Sequence, residues 1–197
     1  MESPPNQDPI DREVRGLMLA KRLLRLEVRT DMITKFTGVP RNRLAALRRR
    51  LDVAPDARPR GHARSRIETF IANAERRFES SSLAALLALF GLIAPEGGPA
   101  ITRRDRLDVG EGLCEIYQYV RKFFPDVDID FEDLVRLRTT LVRRELLEIG
   151  RCRQCGVPVV VERNDHRHRI CAFCESEEKR FVAGNEYWSA LPSASSG

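Results

Sequence analysis

Four cysteines in the stretch CRQCGVPVVVERNDHRHRICAFC constrain this chain more than any other feature. Cys152 and Cys155 form one pair and Cys171 and Cys174 another, in the spacing C-x2-C-x15-C-x2-C. Two intervening residues let both sulfurs of a pair reach one ion from a tight turn, and Gly156 is the residue type such a turn tolerates best. Between the pairs, a β-branched run, a polar RNDHR tip and a return predict a two-stranded hairpin that carries the second pair back beside the first. The pattern predicts a small zinc-ribbon-like module with four cysteine ligands, holding one Zn2+ per chain. Four thiolates fill a tetrahedral shell and leave no position for water, so such a site is structural, not catalytic. The spacing also admits an iron–sulfur cluster. A redox pair is a poorer fit, because no βαβ pattern surrounds either C-x-x-C. His166 and His168 fall at the predicted hairpin tip, away from the paired turns. Cys114 stands alone in a predicted helix and reads as a small packed residue.

The start of the chain, MESPPNQDPIDREVRG, lacks the basic and apolar succession of a secretory leader. Paired thiols then point to metal in a reducing compartment, and the expected location is cytoplasmic. The longest uncharged run, from Ser80 to Pro95, is shorter than the roughly 20 apolar residues that span a bilayer, so no membrane is expected. Nor is an enzyme or a small-molecule substrate: the chain has no phosphate-cradling glycine loop and no nucleophile motif containing histidine.

The fold expected is mainly α. Residues 1–9 read as a flexible lead-in, 10–150 as a helical domain, 151–181 as the four-cysteine zinc-ribbon-like module and 182–197 as a disordered tail. Ile10, Val14, Leu17, Met18, Lys21, Leu24 and Val28 predict the packed face of a first helix. A short helix follows over 31–37, and Gly38 and Pro40 separate it from an arginine-rich one. Longer helices are expected over 67–93, with a break near the serines, over 107–124 and over 131–149, the last capped by Asp130 and ended by Gly150. The run Leu83 to Ile93 reads equally as an association surface and as core.

Charge is uneven. Nine arginines between Arg41 and Arg66 face only Asp52 and Asp56, a local excess above the net +5 of the whole chain. Laid on a helix-turn-helix template with Gly38 at the turn, Ile33, Val39, Leu44 and Leu47 point inward. Arg41, Asn42, Arg43, Arg48, Arg49 and Arg50 then point outward, where arginine suits guanine edges or phosphates and asparagine suits adenine. Arg163, Arg167 and Arg169 at the ribbon tip form a second candidate surface for double-stranded DNA.

Assembled in this order, the parts resemble the FlhC family, one subunit of the bacterial flagellar transcriptional activator FlhDC. The resemblance rests on VPRNRLAALRRRL, on DLVRLRTTLVRRELLEIGRC running straight into the metal segment, and on the four cysteines, which match the family's zinc ligands. It covers roughly residues 10 to 175. It implies a DNA-binding activator subunit that forms a hetero-oligomer with an FlhD-type partner upstream of flagellar promoters and recruits RNA polymerase. The alternative is a zinc-ribbon assembly module that contacts polymerase or another protein without reading DNA.

Overall fold

The structure is a computed structural model that describes residues 8–52, 67–102, 104–127, 129–164 and 169–177. The tail expected over 182–197 and most of the lead-in lie outside these residues, as do Arg167 and both hairpin histidines. Within them the chain is mainly helical, as the periodicities predict, with one two-stranded sheet at its C-terminal end.

Helix α1 (Pro9–Arg25) begins where the Asp8 carboxylate accepts the amide N–H of Ile10, with proline in the first turn. Asp8 and Pro9, expected in the lead-in, thus belong to the helix start. Its packed face matches the expected one only in part: Leu24 and Val28 are buried and Leu17 packs against the core, whereas the rest of the expected stripe is not. Gly16, Leu19, Ala20, Leu23 and Leu24 are buried, while Ile10, Val14 and Met18 lie on the opposite side, Met18 being 65% exposed. Both stripes have helical spacing, and the small residues Gly16 and Ala20 are what admit neighbours closely on the inner one.

Helices α2 (Thr30–Thr37) and α3 (Arg41–Arg50) are joined by residues 38–40, with Gly38 in the left-handed region at φ +72°. Ile33, Val39 and Leu44 are buried and Leu47 packs against the same core, as the template requires. Pro40 serves as the N-cap of α3, one position before the first helical residue expected of it.

After a 3-10 turn at Ile67–Ile71, α4 (Ala74–Leu89) starts on Asn73, whose side chain accepts from the N–H of Arg76. The expected break near the serines does not occur. Ser80, Ser81 and Ser82 each donate a hydroxyl to the carbonyl four residues earlier, which satisfies them inside the helix. Most of the run 83–93 is core, with Leu83, Ala84, Leu87, Leu92 and Ile93 buried.

Helices α5 (Arg106–Phe123) and α6 (Phe131–Arg143) both open on reciprocal capping boxes, Asp105 with Asp108 and Asp130 with Asp133. On α5, Leu113, Ile116, Tyr117 and Val120 are buried as their spacing predicts. Helix α6 ends at Arg143, short of the expected Ile149, because Arg144 turns left-handed at φ +53° and the chain then becomes strand β1 (Leu147–Arg151). Strand β1 pairs antiparallel with β2 (Pro158–Glu162). Gly150 therefore sits inside a strand rather than ending a helix, and the boundary expected at 150/151 falls within β1.

The sheet serves two cores. Leu147 and Val160 join the helical core, whereas Val159 and Val161, on the other face by strand alternation, pack with Cys152 and Cys174. No helix among the described residues is long and apolar enough to cross a membrane.

Candidate metal centre

The hairpin predicted between the cysteine pairs instead encloses the first pair. Cys152 and Cys155 occupy the turn joining β1 to β2, and among the described residues no return strand lies between β2 and Cys171. The reason is local. Gly156 takes φ +75°, its N–H donates to the Cys152 carbonyl (2.9 Å), and the Cys152 N–H donates to the Val157 carbonyl (2.9 Å). The C-x-x-C-G sequence is thus itself the reversal.

The second pair stands at the entry of a short helical turn over 172–177. Backbone amides aim at sulfur: the Cys171 N–H donates to Cys152 Sγ (3.3 Å) and the Cys174 N–H to Cys171 Sγ (3.4 Å). The Arg153 N–H donates to the Arg169 carbonyl (2.9 Å), tying the two cysteine loops together.

All four sulfurs lie within 4.8 Å of one another, and Cys155 Sγ is 3.7 Å from Cys171 Sγ. That edge is close to the roughly 3.8 Å that follows from a tetrahedral shell with metal–sulfur bonds of about 2.3 Å. The four cysteines can therefore hold one metal ion. Cys152 and Cys174 are buried and Cys155 is exposed, so the site opens to solvent on one side.

The thiols are electrostatically unequal. Burial pushes Cys152 up, but backbone N–H groups of Cys155, Cys171 and Gln154 outweigh it and bring the thiol down to about 6. Burial and the neighbouring thiols push Cys174 well up. The Cys152 thiolate forms readily and its charge helps hold Cys174 protonated, a conflict that a cation shared by both sulfurs relieves. Cys114 is far from this cluster in kind: burial in α5 raises it to about 11 and it packs as an apolar residue, as expected.

The arginines expected to face outward divide. Arg41 is exposed and pairs with Asp31 (2.6 Å), and Arg43 pairs with Glu13 (2.6 Å). Asn42 is exposed, with its side-chain oxygen accepting the Arg43 N–H (2.8 Å). Arg49 and Arg50 are exposed. Arg48 is a correction: at 9% exposure it lies on the inner side of α3 near Leu44, one turn along the buried stripe.

At the module, Arg163 is exposed and donates to the Arg144 carbonyl beyond the end of α6. Arg169 is half-buried and paired with Glu148 (2.6 Å), so it braces the second cysteine loop against β1. Helix α3 packs on α1 and α2, while the hairpin packs on α4 and α6. The two basic sets thus rest on different supports.

Sequence reasoning gave no sign of what fastens the module. Arg77 of α4 forms an ion pair with Glu175 of the helical turn, and Ser81 of α4 accepts the N–H of Val160 (3.0 Å). These partners lie 98 and 79 residues apart, beyond any periodicity. No protein-family model matches the chain, and no curated protein matches it in sequence.

Proposed function

We propose that this chain is a DNA-binding subunit of a transcriptional activator, of the kind the FlhC resemblance implies, with Cys152, Cys155, Cys171 and Cys174 holding one structural zinc ion. It would act with an FlhD-type partner at flagellar promoters and recruit RNA polymerase. The observation that supports DNA contact is the unit formed by α2, the Gly38 turn and α3. Its buried Ile33, Val39 and Leu44 hold a second helix on which Asn42 and Arg49 share the face turned away from the core, flanked by Arg41 and Arg50.

The donor set supports zinc. Four sulfurs at the spacing of a single ion, with no carboxylate or imidazole among them, suit zinc rather than the harder divalent cations. A zinc ion so enclosed supplies folding energy and no reactive water.

Arg41 and Arg43 already have acidic partners, so their contribution to DNA affinity is net of breaking exposed pairs worth little each. The test is fluorescence anisotropy of the chain co-purified with an FlhD-type partner, against flagellar promoter DNA and a scrambled duplex at two salt concentrations. A promoter preference that persists at the higher salt is expected, and an Arg49→Ala, Arg50→Ala double variant should lose affinity and flatten the salt slope. Equal binding to both duplexes, or none, would favour the assembly-module reading. That reading draws on Phe173, which is 70% exposed beside the cysteine loops.

A further inference from the structure

On the outer side of α4, Phe78, Ser82, Ala85 and Leu89 form an exposed stripe, with Phe78 63% and Leu89 79% accessible. Their spacing is 4, 3, 4, which is the seam of a two-helix coiled coil. No charged residue occurs between Glu79 and Glu96. The inner side of the same helix already carries the core residues Leu83, Ala84 and Leu87, so the stripe is a second apolar face on one helix.

We propose that this stripe is a homodimer interface in which α4 packs antiparallel against α4 of a second copy of the chain. Two features select a second copy as the occupant. The first is symmetry. Read backwards, the stripe keeps its spacing and its order of large, small, small, large, which is what an isologous two-fold contact requires. In an antiparallel pair Phe78 meets Leu89 of the other copy and Ser82 meets Ala85, so small side chains let the helices approach at the centre while large ones close both ends.

The second feature is charge. The same register brings exposed Glu75 to the C-terminal end of α4 of the other copy, where the chain turns off at Gly91. The Arg104 guanidinium lies there, with Nη2 3.1 Å from where a Gly91 Cβ would stand. Each interface would then carry two Glu75–Arg104 pairs related by the two-fold axis. Ser82 brings no unsatisfied hydroxyl into the contact, because it already donates to the Phe78 carbonyl (2.9 Å). The dimer stands independently of the DNA-binding reading, since neither α3 nor the cysteine loops contribute to the stripe.

Sedimentation equilibrium of the full metal-loaded chain from about 1 to about 100 micromolar tests it. A concentration-dependent dimer is expected, and Ala85→Glu should weaken it by about tenfold or more while far-UV circular dichroism stays unchanged. Glu75→Arg and Arg104→Glu should each weaken the dimer, and the two combined should restore it, which a merely structural role for either residue would not produce. If Ala85→Glu lowers the helix signal, Leu89→Lys and the charge exchange decide in its place. A monomer throughout the range would overturn the proposal, as would a dimer indifferent to Ala85→Glu and to the charge exchange.

Discussion

Cys114 shows how burial turns one side chain into a pH-dependent element of stability. Its thiol is fully enclosed in α5, and desolvation raises its pKa from the ordinary 9.0 to about 11, Arg22 opposing and Glu115 and Glu111 reinforcing the shift. Between those values the unfolded chain loses the thiol proton while the folded chain keeps it. The unfolded state then binds fewer protons, and stability falls as pH rises through the interval. Urea unfolding of Cys114→Ala and the parent at pH 8, 9, 10 and 11 isolates this group from the cluster thiols, which both proteins share. The parent should lose its advantage over the variant progressively above about pH 9. Parallel pH curves would mean that the thiol ionises as easily folded as unfolded. At this scale the sequence was a good guide, because a lone cysteine among helical apolar positions leaves little room but the core.

Among the elements, the contact of α1, α2 and α5 depends on the absence of one Cβ. At Gly110 an added Cβ would stand 2.8 Å from Phe36 Cβ and 2.9 Å from Leu19 Cδ2. Helix propensity alone would have Gly110→Ala stabilise by about 1 kcal/mol, whereas overpacking costs about 1–3 kcal/mol. The near neighbours are the base of one side chain and the tip of another in a full core, so the clash should win and the urea midpoint should fall. A rise would show that α2 and α5 are not packed this closely. The same region explains why the face of α1 was only partly legible. Leu19 and Leu23 on the inner stripe are as bulky as Ile10, Val14 and Met18 on the outer one, so apolar size does not separate them, and it is Gly16 and Ala20 that let neighbours approach the inner side. Strand β1 was illegible for a related reason. Glu145 to Ile149 continues the composition of α6, and only pairing with β2, together with the left-handed turn at Arg144, makes it a strand. The cysteine site, by contrast, was legible because its ligands and turn residue are set by spacing within each pair.

For the whole molecule, the division of the hairpin between two cores determines what metal loss does. The helical core extends from Leu19 to Val160 and includes one face of the sheet, whereas among the described residues the second core holds only Cys152, Val159, Val161 and Cys174, with Ile170 and Cys171 at its margin. So small a cluster buries too little apolar surface to offset the ordering of its loops, and a bound zinc ion, worth about 10–16 kcal/mol in zinc-finger peptides, would supply the difference. Chelation of the zinc-loaded chain should therefore release one ion and leave the helices standing. Hydrogen exchange should rise in residues 152–157 and 169–177, and stay low in α5 and α6. Exposed Cys155 gives the chelator its way in. Cys171→Ser should reproduce the exchange pattern and hold well under one zinc per chain. Val160 decides how far the loosening spreads: its side chain belongs to the helical core and its N–H to Ser81, so β2 stays docked on α4 when the loops around the metal open. Loss of helical circular dichroism on chelation would mean that the two cores fold as one unit. Unchanged exchange, with the metal gone, would mean that the amide-to-sulfur bonds suffice to hold the loops.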